Sequence, residues 1–259
     1  MFGRASEVKA FNRWKPGSQY MPDWGYSYWS TSVWYQDVEK GQWSNGLAEK
    51  KPEYNSNFTV MRIKLRENLK WSDGVKVTAD DLISTVKVVM SNAGLYLNTE
   101  LNENVKAIKK INDFTVEFAL KKANPRFHYF FTVLQCANSL EIKPAHILKD
   151  VQDPMSYTGY PIVTANAFTL KNFDPAGYWF LFERREDWRN TVTGAITGKQ
   201  PKPKYVFLSA YGPEDKQIIA SIRHQLDINF SSFEAWEVLK KENEYIKAWY
   251  DGFPWAWLN

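Results

Sequence analysis

The chain of 259 residues is long enough for one large domain or two ordinary ones, and its hydrophobic (44%) and charged (24%) fractions are those of a folded globular protein. Its formal charge of +4 comes from 33 basic and 29 acidic residues, which are interleaved without the basic stripe of a nucleic-acid-binding protein. No apolar run reaches the ~20 residues of a membrane-spanning helix, and the first residues lack the apolar core of a signal peptide.

The inventory of groups for catalysis or metal binding is small. Cys136 is the single cysteine, and His128, His146 and His224 are not paired at metal-ligand spacing. We therefore expect no metal, no cofactor and no catalytic residue. The aromatic fraction is high, at 16%, and "YMPDWGYSYWSTSVWYQDVEKGQW" is the densest stretch. Aromatic faces stack on sugars and peptides as well as filling cores, so this stretch is a candidate binding surface.

Two elements near the middle of the chain have clear periods. "FTVMRIKL" alternates in the way that predicts a strand covered on one face, and its apolar side carries Met61 and Ile63. Residues 79 to about 93 repeat at the helical period and predict an amphipathic helix, with Gly94 as its C-cap.

The connection "KWSDGVKVTADDL" between that strand and that helix predicts a tight turn followed by a helix start. Glycine at 74 tolerates the positive φ of a tight turn, and Trp71 is placed to cover the turn. Thr78 and Asp81 have the spacing of a capping box, in which the carboxylate reaches back to the Thr78 backbone.

Further elements follow in a mixed order. "VKAIKKINDFTVEFALKK" predicts a hairpin that turns at Asn112–Asp113, and "AFTLKNF" with "YWFLFERR" predicts a second hairpin around "DPAG". "YVFLSAYG" predicts a strand, "PEDKQIIASIRHQL" a helix, "DINF" a strand, and the last segment a helix followed by an aromatic strand. Strands and helices alternate without a strict βαβ rhythm, so the fold class is mixed α/β or α+β.

The order of motifs around the turn resembles the hallmark region of the family 5 extracellular solute-binding proteins. The matching positions are Leu47–Glu49, Leu65–Arg66, Trp71–Gly74, Thr78, Ala79 and Asp81. Downstream, "VTANAFTLKNFDPAGYWFLFERREDW" is similar to a second family run. It departs from that run at Asn166–Ala167, where the family usually has Gly-Pro, and at Trp188, which follows Arg184 with one residue fewer than the common pattern. The later segment "KQIIASIRHQLDI" is similar to a third family run and departs from it at His224–Gln225, where Gly-Glu is usual.

The resemblance implies a periplasmic-binding-protein-like type II lobe with an inserted accessory α+β domain. This chain resembles the N-terminal half of the longer family chains. The implied domains are residues 1–25 and 156–232 for the first lobe, 26–155 for the accessory domain with the WSDG motif, and 233–259 for the start of the second lobe.

The implied function is that of a solute receptor for an ABC importer. Such a receptor closes like a hinge over an oligopeptide or oligosaccharide, performs no covalent chemistry and delivers the solute to permease subunits. It works in the periplasm or as a lipoprotein at the cell surface. The predicted binding residues are Trp24, Tyr26, Tyr28, Trp29, Asn166 and Phe168, while the WSDG motif should lie away from the ligand.

Two other functions are compatible with the residues. A carbohydrate-active enzyme would use paired carboxylates such as Glu183 and Asp187, facing each other across a cleft at about 5 to 9 Å. At their spacing these two residues more readily form ion pairs with neighbouring arginines. A standalone binding module would fold cooperatively without solute affinity.

Overall fold

The computed structural model of the protein describes residues 8–16, 26–36, 41–134, 139–228 and 232–248. The chain divides into two compact units. The larger unit comprises Ala5–Leu208, and the smaller one comprises Met1–Arg4 with Ser209–Asn259. The domain limits predicted at residues 25, 155 and 232 stay a prediction.

The larger unit contains three small sheets and several short helices. Its strands are β1 Trp34–Gln36, β2 Trp43–Asn45, β3 Glu53–Tyr54, β4 Val60–Lys64, β5 Val105–Asn112, β6 Thr115–Leu120, β7 Thr132–Val133, β8 Phe168–Phe173, β9 Trp179–Arg184 and β10 Tyr205–Ser209, the last ending one residue beyond the unit. Its α-helices are α1 Tyr26–Trp29, α2 Ala79–Ser91, α3 Asn98–Asn104, α4 Ala145–Leu148 and α5 Val192–Thr197, with 3-10 helices at Phe127–Phe131 and Trp188–Asn190. The sheet orders are β2-β1-β7, β3-β4-β6-β5 and β10-β9-β8.

The smaller unit contributes two described helices. These are α6 Glu214–Ile222 and α7 Phe233–Glu242, which contact each other. Ser232 caps α7 by accepting a hydrogen bond from the Ala235 backbone N–H, and Lys240 and Lys241 lie in the last turn, where they complement the helix dipole.

The main hydrophobic core packs the four-stranded sheet against α2. The alternation predicted for β4 is confirmed, because Met61 and Ile63 are buried while Arg62 between them is exposed. Val86 and Leu82 of α2 belong to the same buried cluster, as the helical period predicts. A second cluster lies on the β8–β9 hairpin and consists of Phe11, Trp29, Ala167, Phe168, Phe180 and Phe182.

The turn before α2 is organised around one buried carboxylate. Asp81, 3% exposed, accepts hydrogen bonds from the Trp71 indole Nε1–H (3.1 Å), the Thr78 backbone N–H (2.8 Å) and the Ala145 backbone N–H (2.7 Å). Burial raises the pKa of Asp81, and the three donors act against that rise. Trp71 is fully buried rather than lying over the turn as a lid, since its ring belongs to the main core.

The predicted hairpins and helices are present with shifted ends. The first hairpin turns at Asp113–Phe114, one residue later than predicted, because Asn112 pairs with Thr115 and its side chain accepts a hydrogen bond from the Phe114 N–H. Helix α2 ends at Ser91 with Asn92 as C-cap, so Gly94, at φ 95°, lies beyond the cap rather than in it.

The "DINF" strand is not found at Asp227 and Ile228, which form a bend, and its other two residues lie outside the described residues. Cys136 and the predicted terminal aromatic strand from residue 249 onward also lie outside them. Within the described ranges, no helix has the length and apolar character needed to cross a membrane.

Candidate functional site

Three of the predicted binding residues meet in one aromatic cluster. Trp29, 2% exposed, lies edge-on to Phe11 with ring centroids 5.4 Å apart and stacks on Phe182 at 6.4 Å. Tyr28 contacts Phe168 at 5.7 Å and Phe182 at 5.5 Å. The rings of Trp29 and Phe168 are therefore engaged in packing, whereas Tyr28 keeps part of its surface exposed.

A small cavity of about 10 Å³, which is room for one water molecule at most, lies beside Trp29. Its lining is Phe11, Trp29, Glu141, Lys143, Pro144, Tyr157, Gly159, Ile162 and Val163. The Trp29 indole Nε1–H is buried and has no hydrogen-bond partner among the residues that the structure describes. Because a buried donor without an acceptor is costly, this N–H favours a water molecule in the cavity.

The charged groups of this cavity form a buried ion pair. Lys143 Nζ lies 3.0 Å from Glu141 Oε2, and both side chains are more than nine-tenths buried. The ammonium also lies over the rings of Trp14 (5.5 Å) and Tyr157 (5.8 Å). Burial, with a smaller contribution from the Glu141 charge, raises the pKa of Tyr157 to about 12. The wall thus offers neutral and paired groups, suited to orienting a polar molecule rather than to proton transfer.

Asn166 lines a different cavity from Trp29, although it is hydrogen-bonded to the segment that follows Trp29 in the chain. Its side-chain Nδ2–H donates to the Ser30 backbone carbonyl at 2.7 Å, and its own N–H donates to Thr164 Oγ1 at 3.0 Å. It lines a second, open cavity of about 170 Å³, together with Tyr35, Val192, Thr193, Ile196 and Thr197. Since Ser30 follows Trp29 in the chain, Asn166 connects the two cavities through one backbone segment.

The other two predicted binding residues are not placed. Trp24 lies outside the described residues, and for Tyr26 the structure describes the backbone in α1 but not the side chain. The prediction for these six residues therefore stays a prediction, with four of them located.

Arg185 is a central residue, although the sequence indicates only one of several arginines that could pair with Glu183 and Asp187 at the surface. Its guanidinium is 7% exposed and binds both Asp187 carboxylate oxygens, at 2.9 and 2.7 Å. It also donates to the carbonyls of Lys70 (3.1 Å), Trp71 (3.2 Å) and Thr164 (3.0 Å). It joins the WSDG turn to the loop that carries Asn166. An arginine at the end of an apolar strand, two residues before an aspartate, was the available signal.

The two carboxylates of the enzyme alternative are each paired. Glu183 binds Lys171 at 2.9 Å and Asp187 binds Arg185 at 2.7 Å. These partners hold the pKa of both carboxyls below the ordinary range. A glycosidase needs one carboxyl with a raised pKa as its acid, so this pair does not have the required electrostatics. Among the residues described, no three His, Cys, Asp or Glu side chains cluster as metal ligands would.

The fold has the architecture of periplasmic solute receptors. It is similar to the periplasmic oligopeptide-binding protein of an oligopeptide ABC transporter from Thermotoga maritima, in its structure with bound mannohexaose. The TM-score is 0.78 and the sequence identity 21%, and the match covers 97% of this chain and 44% of that one. The model of the "Bacterial extracellular solute-binding proteins, family 5 Middle" matches residues 42–258. The chain therefore belongs to the family 5 bacterial extracellular solute-binding proteins.

Two curated relatives are similar to part of the chain. The periplasmic oligopeptide-binding protein OppA of Salmonella typhimurium is 30% identical over 174 residues, which are 61% of this chain and 31% of the relative. The peptidoglycan-binding protein YepA of Agrobacterium fabrum is 28% identical over 153 residues, 58% of this chain and 24% of the relative. The chain thus spans less than a third of the length of either.

Proposed function

We propose that this chain is part of an extracytoplasmic receptor that delivers oligopeptides to the permease subunits of an ABC transporter. The observation that carries the proposal is the family match over residues 42–258. The oligopeptide-binding relative from Salmonella typhimurium, at 30% identity, favours peptides. The mannohexaose-bound structure from Thermotoga maritima, which is similar in fold, makes an oligosaccharide the second candidate solute. The place of action is the periplasm or the cell surface, where a lipid anchor would hold the receptor.

The proposed mechanism is closure of two lobes over the solute, without covalent chemistry. A solute that contacts both lobes binds the closed state better than the open one, and this difference in affinity shifts the population towards the closed state. The permease then distinguishes loaded from empty receptor by shape.

The proposed contacts in this chain are the six predicted residues. Tyr28 is the best supported of the four placed ones, because its ring is partly exposed while Phe168 and Phe182 fix its orientation. Phe168 would act mainly by holding Tyr28 directly, and Trp29 by packing on Phe182, which also contacts Tyr28. Asn166, whose amide is fixed by Ser30, would supply a polar contact at the neighbouring cavity.

A thermal melt of the chain with short peptides, and separately with mannohexaose, tests the proposal. A solute that binds the native state stabilises it by about 2.7 kcal/mol at a concentration of 100 times its Kd. We expect peptides to raise Tm and the shift to shrink in Tyr28→Ala. Tyr178→Ala, which removes an exposed tyrosine from the β8–β9 turn, is the matched control and should leave the shift intact. If neither the peptides nor mannohexaose raised Tm, the proposal that this chain alone carries enough of the site to bind a solute would be wrong.

A further inference from the structure

A second group of aromatic side chains lies on the surface of the larger unit, in contact with one another. We call it the aromatic row, and it consists of Trp43, Tyr54, Phe58, His128 and Tyr129. His128 lies 5.7 Å from Trp43, 5.9 Å from Tyr54 and 4.3 Å from Tyr129, measured between ring centroids, and Tyr54 lies 5.6 Å from Phe58. Phe58 is 41% exposed and Tyr129 36% exposed, and the other three rings are partly exposed.

The turn that carries Phe58 presents this ring in a conformation that aromatic residues disfavour. Phe58 has φ 55°, in the left-handed region where glycine is the favoured residue. Hydrogen bonds fix the turn: the Phe58 N–H donates to the Asn55 carbonyl, the Asn124 N–H donates to the Phe58 carbonyl, and Asn55 Oδ1 accepts from the Thr59 N–H. Phe58 is still 41% exposed, so the turn holds a large part of an aromatic ring where a ligand can reach it.

The described charges at the aromatic row leave one cation at its edge. Lys50 is paired with Glu53, and burial lowers the pKa of His128, so that its imidazole is uncharged at neutral pH. His128 Nδ1 is hydrogen-bonded to the Tyr54 hydroxyl at 3.1 Å, which fixes the ring. The Lys51 ammonium lies 6.0 Å from the centroid of the Trp43 ring. A single lysine disfavours a cationic ligand but is not the cluster of cations that an anionic ligand usually needs, so the row suits a neutral ligand.

We propose that the aromatic row is a second binding site, which takes the pyranose rings of a neutral oligosaccharide. A pyranose has an apolar C–H face that stacks on an aromatic ring and a rim of hydroxyls that needs polar partners. The exposed Asn57 beside Phe58 offers its amide to that rim, since within the described part of the chain only its Oδ1 is hydrogen-bonded, as acceptor of the Thr59 hydroxyl. This site does not share a residue with the six predicted contacts of the transported solute.

Calorimetric titration of the chain with cellohexaose tests the proposal. We expect binding that becomes roughly tenfold weaker in Phe58→Gly, the loss expected for one aromatic stacking contact. The Tm of Phe58→Gly should change little, because glycine accepts the positive φ and so offsets the loss of the ring's contact with Tyr54. Tyr129→Ala should weaken binding as well, and it does so without altering the strained turn.

One control makes the result specific to the aromatic row. Phe207→Ala removes a more exposed phenylalanine, 58% exposed on β10, and should leave cellohexaose affinity unchanged. Absence of cellohexaose binding in the millimolar range would overturn the proposal. So would equal losses in Phe58→Gly and Phe207→Ala, or preferential binding of an aromatic hexapeptide that is lost in Phe58→Gly.

Discussion

Replacing Asp81 by asparagine tests whether the buried carboxylate organises the WSDG turn. Its Oδ2 accepts from both Trp71 and Thr78, and its Oδ1 accepts from Ala145. An asparagine presents one oxygen and one NH₂ group, so at least one of these three donors must face another donor. The better orientation keeps the two bonds at Oδ2 and leaves the Ala145 N–H unsatisfied.

The expected cost follows from that arrangement. A buried donor without a partner costs about 1–3 kcal/mol, and the two remaining bonds lose their charge assistance. We therefore expect Asp81→Asn to lower the free energy of unfolding by about 2–4 kcal/mol. Urea titration followed by circular dichroism measures the change, with the slope m showing whether the unfolded surface stays the same.

Asp80→Asn is the matched control for this prediction. Asp80 is in the same first turn of α2 and interacts with the same helix dipole, but its side chain is exposed and pairs with Lys110 at 2.7 Å on the surface. Such an exposed pair contributes at most about 1 kcal/mol. If Asp81→Asn cost no more than Asp80→Asn, the carboxylate would not be the organising group of the turn.

Two further substitutions test other buried charged or titratable groups. Burial lowers the pKa of His128 below its ordinary 6.5, so the unfolded state takes up the proton first and the stability conferred by the neutral ring is lost as the pH falls below about 6.5. The free energy of unfolding should therefore fall more between pH 7 and pH 5 in the wild type than in His128→Gln, and parallel pH profiles would refute this. Arg185→Lys should cost about 2–3 kcal/mol in urea titrations, because an ammonium cannot reach all the acceptors of the buried guanidinium. Arg62→Lys, at an exposed ion pair with Glu117, should cost under about 1 kcal/mol, and similar losses in both would contradict the role of Arg185.

Local elements could be predicted from the sequence because short-range periods and caps determine them. The strand β4 and the helix α2 are where alternation and helical spacing place them, and the capping interaction of Asp81 with Thr78 is present. The predicted turn of the first hairpin lies one residue too early, because the side chain of Asn112 stabilises the turn that follows it. The predicted end of α2 lies too late, because Gly94 belongs to a turn beyond the C-cap and glycine is common in both positions.

The candidate site was harder to predict, because its contacts join segments that are far apart in the chain. From the sequence alone, Glu141 and Lys143 have the character of two surface charges. In the structure they form a buried pair, and the residues that contact Lys143 come from distant segments, namely Phe11 and Tyr157. Nothing local distinguishes Trp29, which is buried, from Tyr28, which is half-buried, since both precede the same loop. Only tertiary packing assigns these neighbours different roles.

The WSDG turn is best understood as a connector within the larger unit. Through Asp81 it binds the start of α4, and through the carbonyls of Lys70 and Trp71 it binds Arg185, which also binds the carbonyl of Thr164. Three of its four residues bond directly to segments more than sixty positions away. Trp71 accepts from Arg185, Ser72 Oγ accepts from the Thr164 N–H, and Asp73 is hydrogen-bonded to His146. Gly74 is linked to them through its N–H, which donates to the Trp71 carbonyl. A solute could not reach the fully buried Trp71 without breaking these bonds. The motif thus fixes the loop that carries Asn166, and it influences any solute site there by position rather than by contact.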